Sequence, residues 1–231
     1  SYSAAVLSVA ISADGEYIAM GSYDNKLYLF DKDSNTPIWS YETDSNVDAV
    51  SISADGAYIV AGSHDDNLYL FDKDSNTPLW SYATGHDVYS VDISAEGEYI
   101  TAADRIGKKV YLFDKDSNTP LWSFQANYPV HSVSISADGE YIVAGSDGGS
   151  ASKVYLFDKD SGTPLWSYTA GGDVVRTVAI SADGEYIIAG NNNNKIYLFD
   201  KDSNTPLWIY ATGSAVRSVA ISADGESITV G

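Results

Sequence analysis

Apolar residues along the chain fall in runs of four to six, rich in Val, Ile, Tyr and Phe, and each run is bounded by Gly, Asp, Asn or Pro. Runs with those lengths and borders predict β-strands, and no segment shows a sustained helical period. Four kinds of run follow one another in fixed order: SVAIS, then YIVAGS, then KLYLFD, then PLWSYAT. The first alternates small Ser and Ala with Val and Ile, which suits a crowded strand. The third is apolar at every position of LYLF (residues 27–30), which predicts burial on both faces. The fourth opens on a proline, which cannot donate to a ladder and therefore suits an outer edge.

The order repeats. Trp39, Trp80, Trp122, Trp166 and Trp208 recur at spacings of 41, 42, 44 and 42, and ISADGEY or a close relative begins at Ile11, Ile52, Ile93, Ile135, Ile180 and Ile221. Four strands in a unit of this length is the arithmetic of a propeller blade. The fold expected is all-β: a single β-propeller domain over residues 1–231, built of four-stranded antiparallel blades. Its units run approximately over 1–45, 46–86, 87–128, 129–173 and 174–213, with a two-strand half unit over 214–231. A six-bladed ring with an incomplete last blade is the favoured closure, a five-bladed ring with two surplus strands the alternative, and a fragment of a larger propeller a third. Ser1-Tyr2 matches Ser40-Tyr41 as the stub of an outer strand.

The pattern VAISADGEYIVAGS resembles the first half of a WD40 repeat, with Phe71-Asp72 standing where that family has Trp-Asp. VYLFDKDSNTPLW resembles the repeat of the PQQ-type, quinoprotein-like propellers, whose tryptophan docks on the adjacent blade. Together the two resemblances cover nearly the whole chain. They imply a propeller and, from the WD40 side, a non-catalytic interaction platform. The Gly-His pair common between WD40 units occurs once, at Gly85-His86. The eight repeats and paired cysteines of the quinoprotein enzymes are absent from this sequence, so no cofactor is expected.

The phrase DKDSNT invites a calcium reading, because Asp31, Asp33, Asn35 and Glu42 fall at positions 1, 3, 5 and 12 of an EF-hand spacing. Position 6, which needs glycine, is Thr36, and Ala83, Gln125, Thr169 and Ala211 replace the glutamate in later copies. Gly162 stands where Asn35, Asn76, Asn118 and Asn204 stand elsewhere, and Asn and Gly share tolerance of positive φ. The phrase is therefore read as a hairpin turn with a left-handed residue at that position, and no metal site is expected. The ADG turns, with Asp14, Asp55, Asp138, Asp183, Asp224 and, once, Glu96, are read the same way.

Charge then separates the two faces. The chain carries −19 overall, with 44% hydrophobic and 13% aromatic residues, enough to fill a core. Twenty-one of its acids and five of its lysines lie in the ADGE and DKD turns, a net of −16, which leaves −3 for everything else. Such acidity disfavours nucleic acid and anionic membrane surfaces as partners. No apolar run is long enough to cross a bilayer as a helix, Ser1 begins no signal peptide, and there is no cysteine to form a disulfide. An extracellular or cell-surface setting is favoured.

The opposite face carries the residues that do not repeat. Just before each inner strand stand Leu7, Asp48, Tyr89, His131, Arg176 and Arg217 in turn, and Tyr23, His64 and Arg105 lie in neighbouring loops. Departures from a repeat mark residues the fold does not dictate, and aromatics and Arg are favoured at binding hot spots. Tyr23, Asp48, His64, Tyr89, Arg105, His131, Arg176 and Arg217 are the candidate binding residues, for a protein or small ligand. Neutral drift in exposed loops is the alternative. His64, His86 and His131 show no metal-ligand spacing, and neither a G-x-S-x-G elbow nor a P-loop is present, so no catalytic residue is assigned and an enzyme is not expected. Two further readings are a structural component of a cell-surface or extracellular assembly and an engineered or amplified repeat without an evolved ligand. An unpaired edge at residues 227–230 predicts self-association through the terminal half-blade.

Overall fold

A computed structural model describes residues 4–231. The Ser1-Tyr2 stub lies outside the described residues. The first blade is β1 (Val6–Ile11), β2 (Tyr17–Ser22), β3 (Lys26–Asp31) and β4 (Trp39–Glu42). The second is β5 (Val47–Ile52), β6 (Tyr58–Ser63), β7 (Asn67–Asp72) and β8 (Trp80–Ala83), and the third is β9 (Val88–Ile93), β10 (Tyr99–Asp104), β11 (Lys109–Asp114) and β12 (Trp122–Gln125). The fourth is β13 (Val130–Ile135), β14 (Tyr141–Ser146), β15 (Lys153–Asp158) and β16 (Trp166–Thr169). The fifth is β17 (Val175–Ile180), β18 (Tyr186–Asn191), β19 (Lys195–Asp200) and β20 (Trp208–Ala211), followed by the half-blade β21 (Val219–Ile221) and β22 (Ile228–Val230). Each blade is an antiparallel meander in chain order. This is the expected architecture of five blades and a two-strand half-blade.

Blades stack through one interface repeated four times. Trp39 lies on Phe71, Trp80 on Phe113, Trp122 on Phe157 and Trp166 on Phe199, with ring centroids 5.3–5.5 Å apart. Each indole Nε1 donates to a lysine carbonyl in the next blade, at 2.7 Å in all four cases. The third strands are buried on both sides, with Leu68, Leu70 and Phe71 fully enclosed, as their unbroken apolar run demands. Near the axis, Val50, Val133 and Val178 donate backbone N–H to Ser8, Ser90 and Ser132 hydroxyls of the neighbouring inner strand. Asp92 joins three consecutive blades there. It accepts from the Ser51 and Ser134 hydroxyls and from the Ile93 and Ile135 amides, all at 3.0 Å.

The stack has two uncovered ends. In the first blade, Val9 and Ile11 are 60% and 59% exposed, whereas Val50 and Ile52 at the same positions are 7% and 8% exposed. At the other end Val216 and Val219 of the half-blade region pack on Ile188, Ile196 and Leu198, but Trp208, Ile209 and Tyr210 have nothing over them.

The DKD phrase is a turn, with one correction. In all five copies the first Asp Oδ1 accepts the amide two residues on, as Asp31 does from Asp33 at 2.8 Å, and the Ser hydroxyl accepts the Thr amide, as Ser34 does from Thr36 at 3.0 Å. These are Asx- and Ser-type turns that close on themselves. The Asn position, however, is not left-handed: Asn35, Asn76, Asn118, Asn204 and Gly162 are not among the positive-φ residues, which include Asn25, Asp66, Lys108 and Asn194 at the end of the b–c loops. Asn76 and Asn118 instead reach across to the Ser40 and Ser81 carbonyls of the preceding blade, at 3.3 and 3.2 Å. Gly162 simply lacks that bond.

Candidate functional site

The variable residues do not precede the inner strands, as the sequence reading had it, but form a β-bulge inside each. In the first pair Val6 faces Ser22 and Ser8 faces Gly21, so Leu7 has no partner. The same slip leaves Asp48, Tyr89, His131 and Arg176 as the extra residue in the second to fifth blades. A bulge turns its surplus side chain out of the sheet's alternation. The valine before it holds the geometry: Val47, Val88, Val130 and Val175 are fully buried. A Cβ on Gly62 would lie 2.6 Å from Val88 Cγ1, so that valine seats closely on the preceding blade, where only Gly or, in the third blade, Ala103 stands. Packing thus fixes the valine and sends the next side chain to the rim. Arg217 reaches a similar place, its amide and that of Ser218 both donating to the Gly231 carbonyl.

Asp48, His64, Tyr89 and Arg105 form one run of contacts, and His131 and Arg176 follow along the same belt on the next two inner strands. The Asp48 carboxylate touches His64 Nε2, and Asp87 Oδ2 lies 3.9 Å from the same nitrogen. The His64 and Tyr89 ring centroids are 5.5 Å apart, and the Arg105 guanidinium carbon lies 4.9 Å from the centroid of the Tyr89 ring, a cation–π contact. On the next inner strand, His131 Nε2 is 3.7 Å from Asp147 Oδ2, too far for a hydrogen bond. Arg176 follows, its Nε donating to Asn192 Oδ1 at 3.0 Å. Tyr23, 58% exposed, joins Leu7, Asn46, Asp48, His64 and Tyr89 around an open cavity of about 250 Å³. The Arg217 side chain is exposed, and among the described residues no hydrogen bond or ion pair joins it to the belt.

The belt is polarised. Asp48 and Asp87 make its beginning acidic; at its end Arg105 and Arg176 outnumber Asp147. Burial, with repulsion from Asp87, holds the Asp48 carboxyl above the usual carboxylate range, and His64 only partly offsets this. Burial and the charges of Arg105 and Arg176 hold the His131 imidazole below its ordinary value, against the pull of Asp147. Asn46, Asp87, Asp147 and Asn192 belong to the site but were not singled out from sequence. Their one signal was position in the non-repeating loops.

Among the described residues no group of three or more His, Cys, Asp or Glu is arranged to hold a metal ion, and no helix is long and apolar enough to cross a membrane. The strand order, the interlocking tryptophans and the repeated turns define a repeat β-propeller of the PQQ-like and WD40-like kind. Residues 65–190, more than half of the chain, match the family model described as a family of unknown function (DUF5711), and the chain belongs to that family. Residues 3–106 match the model described as outer membrane protein assembly factor BamB. No curated protein matches the chain. Repeats of the PQQ-like kind fit a non-catalytic propeller.

Proposed function

We propose that the chain is a non-catalytic binding propeller whose partner surface is the bulge-bearing rim. The observation that carries this reading is the set of bulges: one repeated backbone device delivers five different side chains to one rim, while the repeated turns on the opposite face spend their polar groups on themselves. Asp48, His64, Tyr89, Arg105, His131 and Arg176 form its contiguous part, with Tyr23 at the cavity and Arg217 beyond it. The partner is a protein or a small ligand. Likeness to the outer membrane assembly factor family supports a cell-surface or extracellular setting. Replacing Tyr89, His131 and Arg176 together by Ala tests the reading. Partners captured by the unaltered chain are expected to bind the folded triple variant about tenfold more weakly or worse, since aromatic and Arg hot spots each carry roughly 2 kcal/mol or more. Unchanged affinity for every captured partner overturns it.

A second reading, a structural component that assembles with itself, is favoured by the uncovered Trp208, Ile209 and Tyr210 beside the free edge of β22.

A further inference from the structure

The chain has three arginines, Arg105, Arg176 and Arg217, and all three lie on the rim. None is within 4 Å of a carboxylate among the described residues, in a protein with 32 acids. The lysines of the repeated turns behave differently: Lys32, Lys73, Lys115, Lys159 and Lys201 each contact an acid. Arg105 and Arg176 are nevertheless held in place, one on the face of Tyr89 and the other by Asn192. Such support leaves most of each guanidinium fork unused, and the fork matches an oxyanion geometrically. Between them stands His131 on β13, which packs against β10, the strand that leads into Arg105, and against β17, which carries Arg176. Its imidazole is 6% exposed, and its buried Nε2 makes no hydrogen bond, the Asp147 carboxylate standing 3.7 Å from it. An orphaned buried nitrogen costs stability unless something completes it.

We propose that Arg105, His131 and Arg176 form a receptor for one oxyanion group, a carboxylate or a phosphate, borne by the ligand of the rim. The site rests on the reading of the rim as a binding surface and names the chemistry it accepts. Asp147 beside His131 and Asp48 and Asp87 on the adjoining stretch offset part of the arginine charge and repel a second negative charge, so the ligand presents one anionic group and a neutral or cationic remainder. Polyanions are refused by the same acids and by the net charge of −19.

Three arginines give three side-chain Nε–H signals, which makes nuclear magnetic resonance the direct test. The whole chain is titrated with sodium phosphate and, separately, sodium acetate, against sodium chloride at matched ionic strength. Saturable shifts of the Arg105 and Arg176 signals, larger than that of Arg217, are expected with at least one oxyanion. The tighter of the two identifies the preferred group. Arg105→Gln and Arg176→Gln, each checked for fold by circular dichroism, are each expected to weaken binding about tenfold or more, as loss of a charge-assisted hydrogen bond does. Lys26→Gln removes the same charge from the same face, away from the cluster, and is expected to leave binding unchanged. Shifts no larger than those in chloride, or an equal loss in Lys26→Gln, overturn the proposal. If oxyanions fail to bind but the triple variant still loses its partners, the rim reading stands without this site. If oxyanions bind and partner affinity is indifferent to the rim, the site stands without that reading.

Discussion

At the scale of single residues, Asp104 breaks the repeat where its neighbours keep it. Ser22, Ser63 and Ser146 end the second strand in three blades, and Asn191 ends it in the fifth. Asp104 is 1% exposed; its Oδ1 accepts the Gly107 amide at 2.6 Å, but Oδ2 has no partner. Burial therefore pushes its pKa above the ordinary carboxylate value. A folded-state carboxyl with a raised pKa holds its proton longer than the unfolded chain does. The folded state then loses stability as pH rises through the window between the two values. Asn191 shows the remedy, with Oδ1 accepting two loop amides and Nδ2 donating to the Tyr197 hydroxyl at 3.3 Å. Asp104→Asn keeps the bond from Gly107 and offers Tyr111 the same donor. It is expected to stabilise the chain by about 1–3 kcal/mol at neutral pH, the usual cost of a buried unsatisfied group. That gain should shrink as pH falls and vanish below the ordinary value of 3.8. Urea titrations at several pH values check this; a gain that persists in acid shows that the ionised carboxyl is not its source. Nothing in the sequence marked Asp104 as buried, because a carboxylate in a variable loop region reads as solvated until its strand partner is known.

Elements are held by the tryptophan interlock, and the chain contains its own control. Trp122 is covered by the fourth blade and bonded to the Lys159 carbonyl, while Trp208, in the same position of the fifth blade, is 40% exposed. Trp122→Ala is expected to cost about 3–5 kcal/mol, and Trp208→Ala, in the monomer, roughly 1 kcal/mol or less. Equal losses in chemical denaturation would show that the tryptophans act within their own blade and not between blades. Strand order, turn positions and the stacking residue were legible at this scale, since apolar runs, Asp-Gly pairs and a fivefold tryptophan each report local chemistry. The bulges were not. Valine and the residue after it look like the start of any alternating strand, and only the pairing with the second strand shows that one residue is surplus. The left-handed assignment of the DKD asparagine failed for a related reason: an Asn/Gly exchange also arises where Asn makes a bond to another blade, which no local pattern reveals.

At the largest scale, the fifth blade carries an uncovered copy of the repeated interface among the described residues. Trp208, Ile209 and Tyr210 are 40%, 49% and 62% exposed on one short strand. Ile209 is the telling member. Ser40, Ser81, Ser123 and Ser167 fill its position in the other blades, so the one uncovered outer strand is more apolar than the covered ones. A strand meant to face water is expected to change in the opposite direction. The inner half of the same end differs: Ser227 replaces the tyrosine found at Tyr17, Tyr58, Tyr99, Tyr141 and Tyr186, whose rings crowd the turn glycine of the following blade. Docking is therefore expected at the outer half, beside the free edge of β22, where an added strand also satisfies backbone groups. With the 231-residue chain alone, that occupant is a second copy. Light scattering on a size-exclusion column is expected to give a mass above the 24.8 kDa of one chain, falling to one chain when Trp208, Ile209 and Tyr210 are all replaced by Ser. A monomer at tens of micromolar, or an assembly indifferent to the triple replacement, removes self-association at this end. The rim would then carry the protein's interactions by itself.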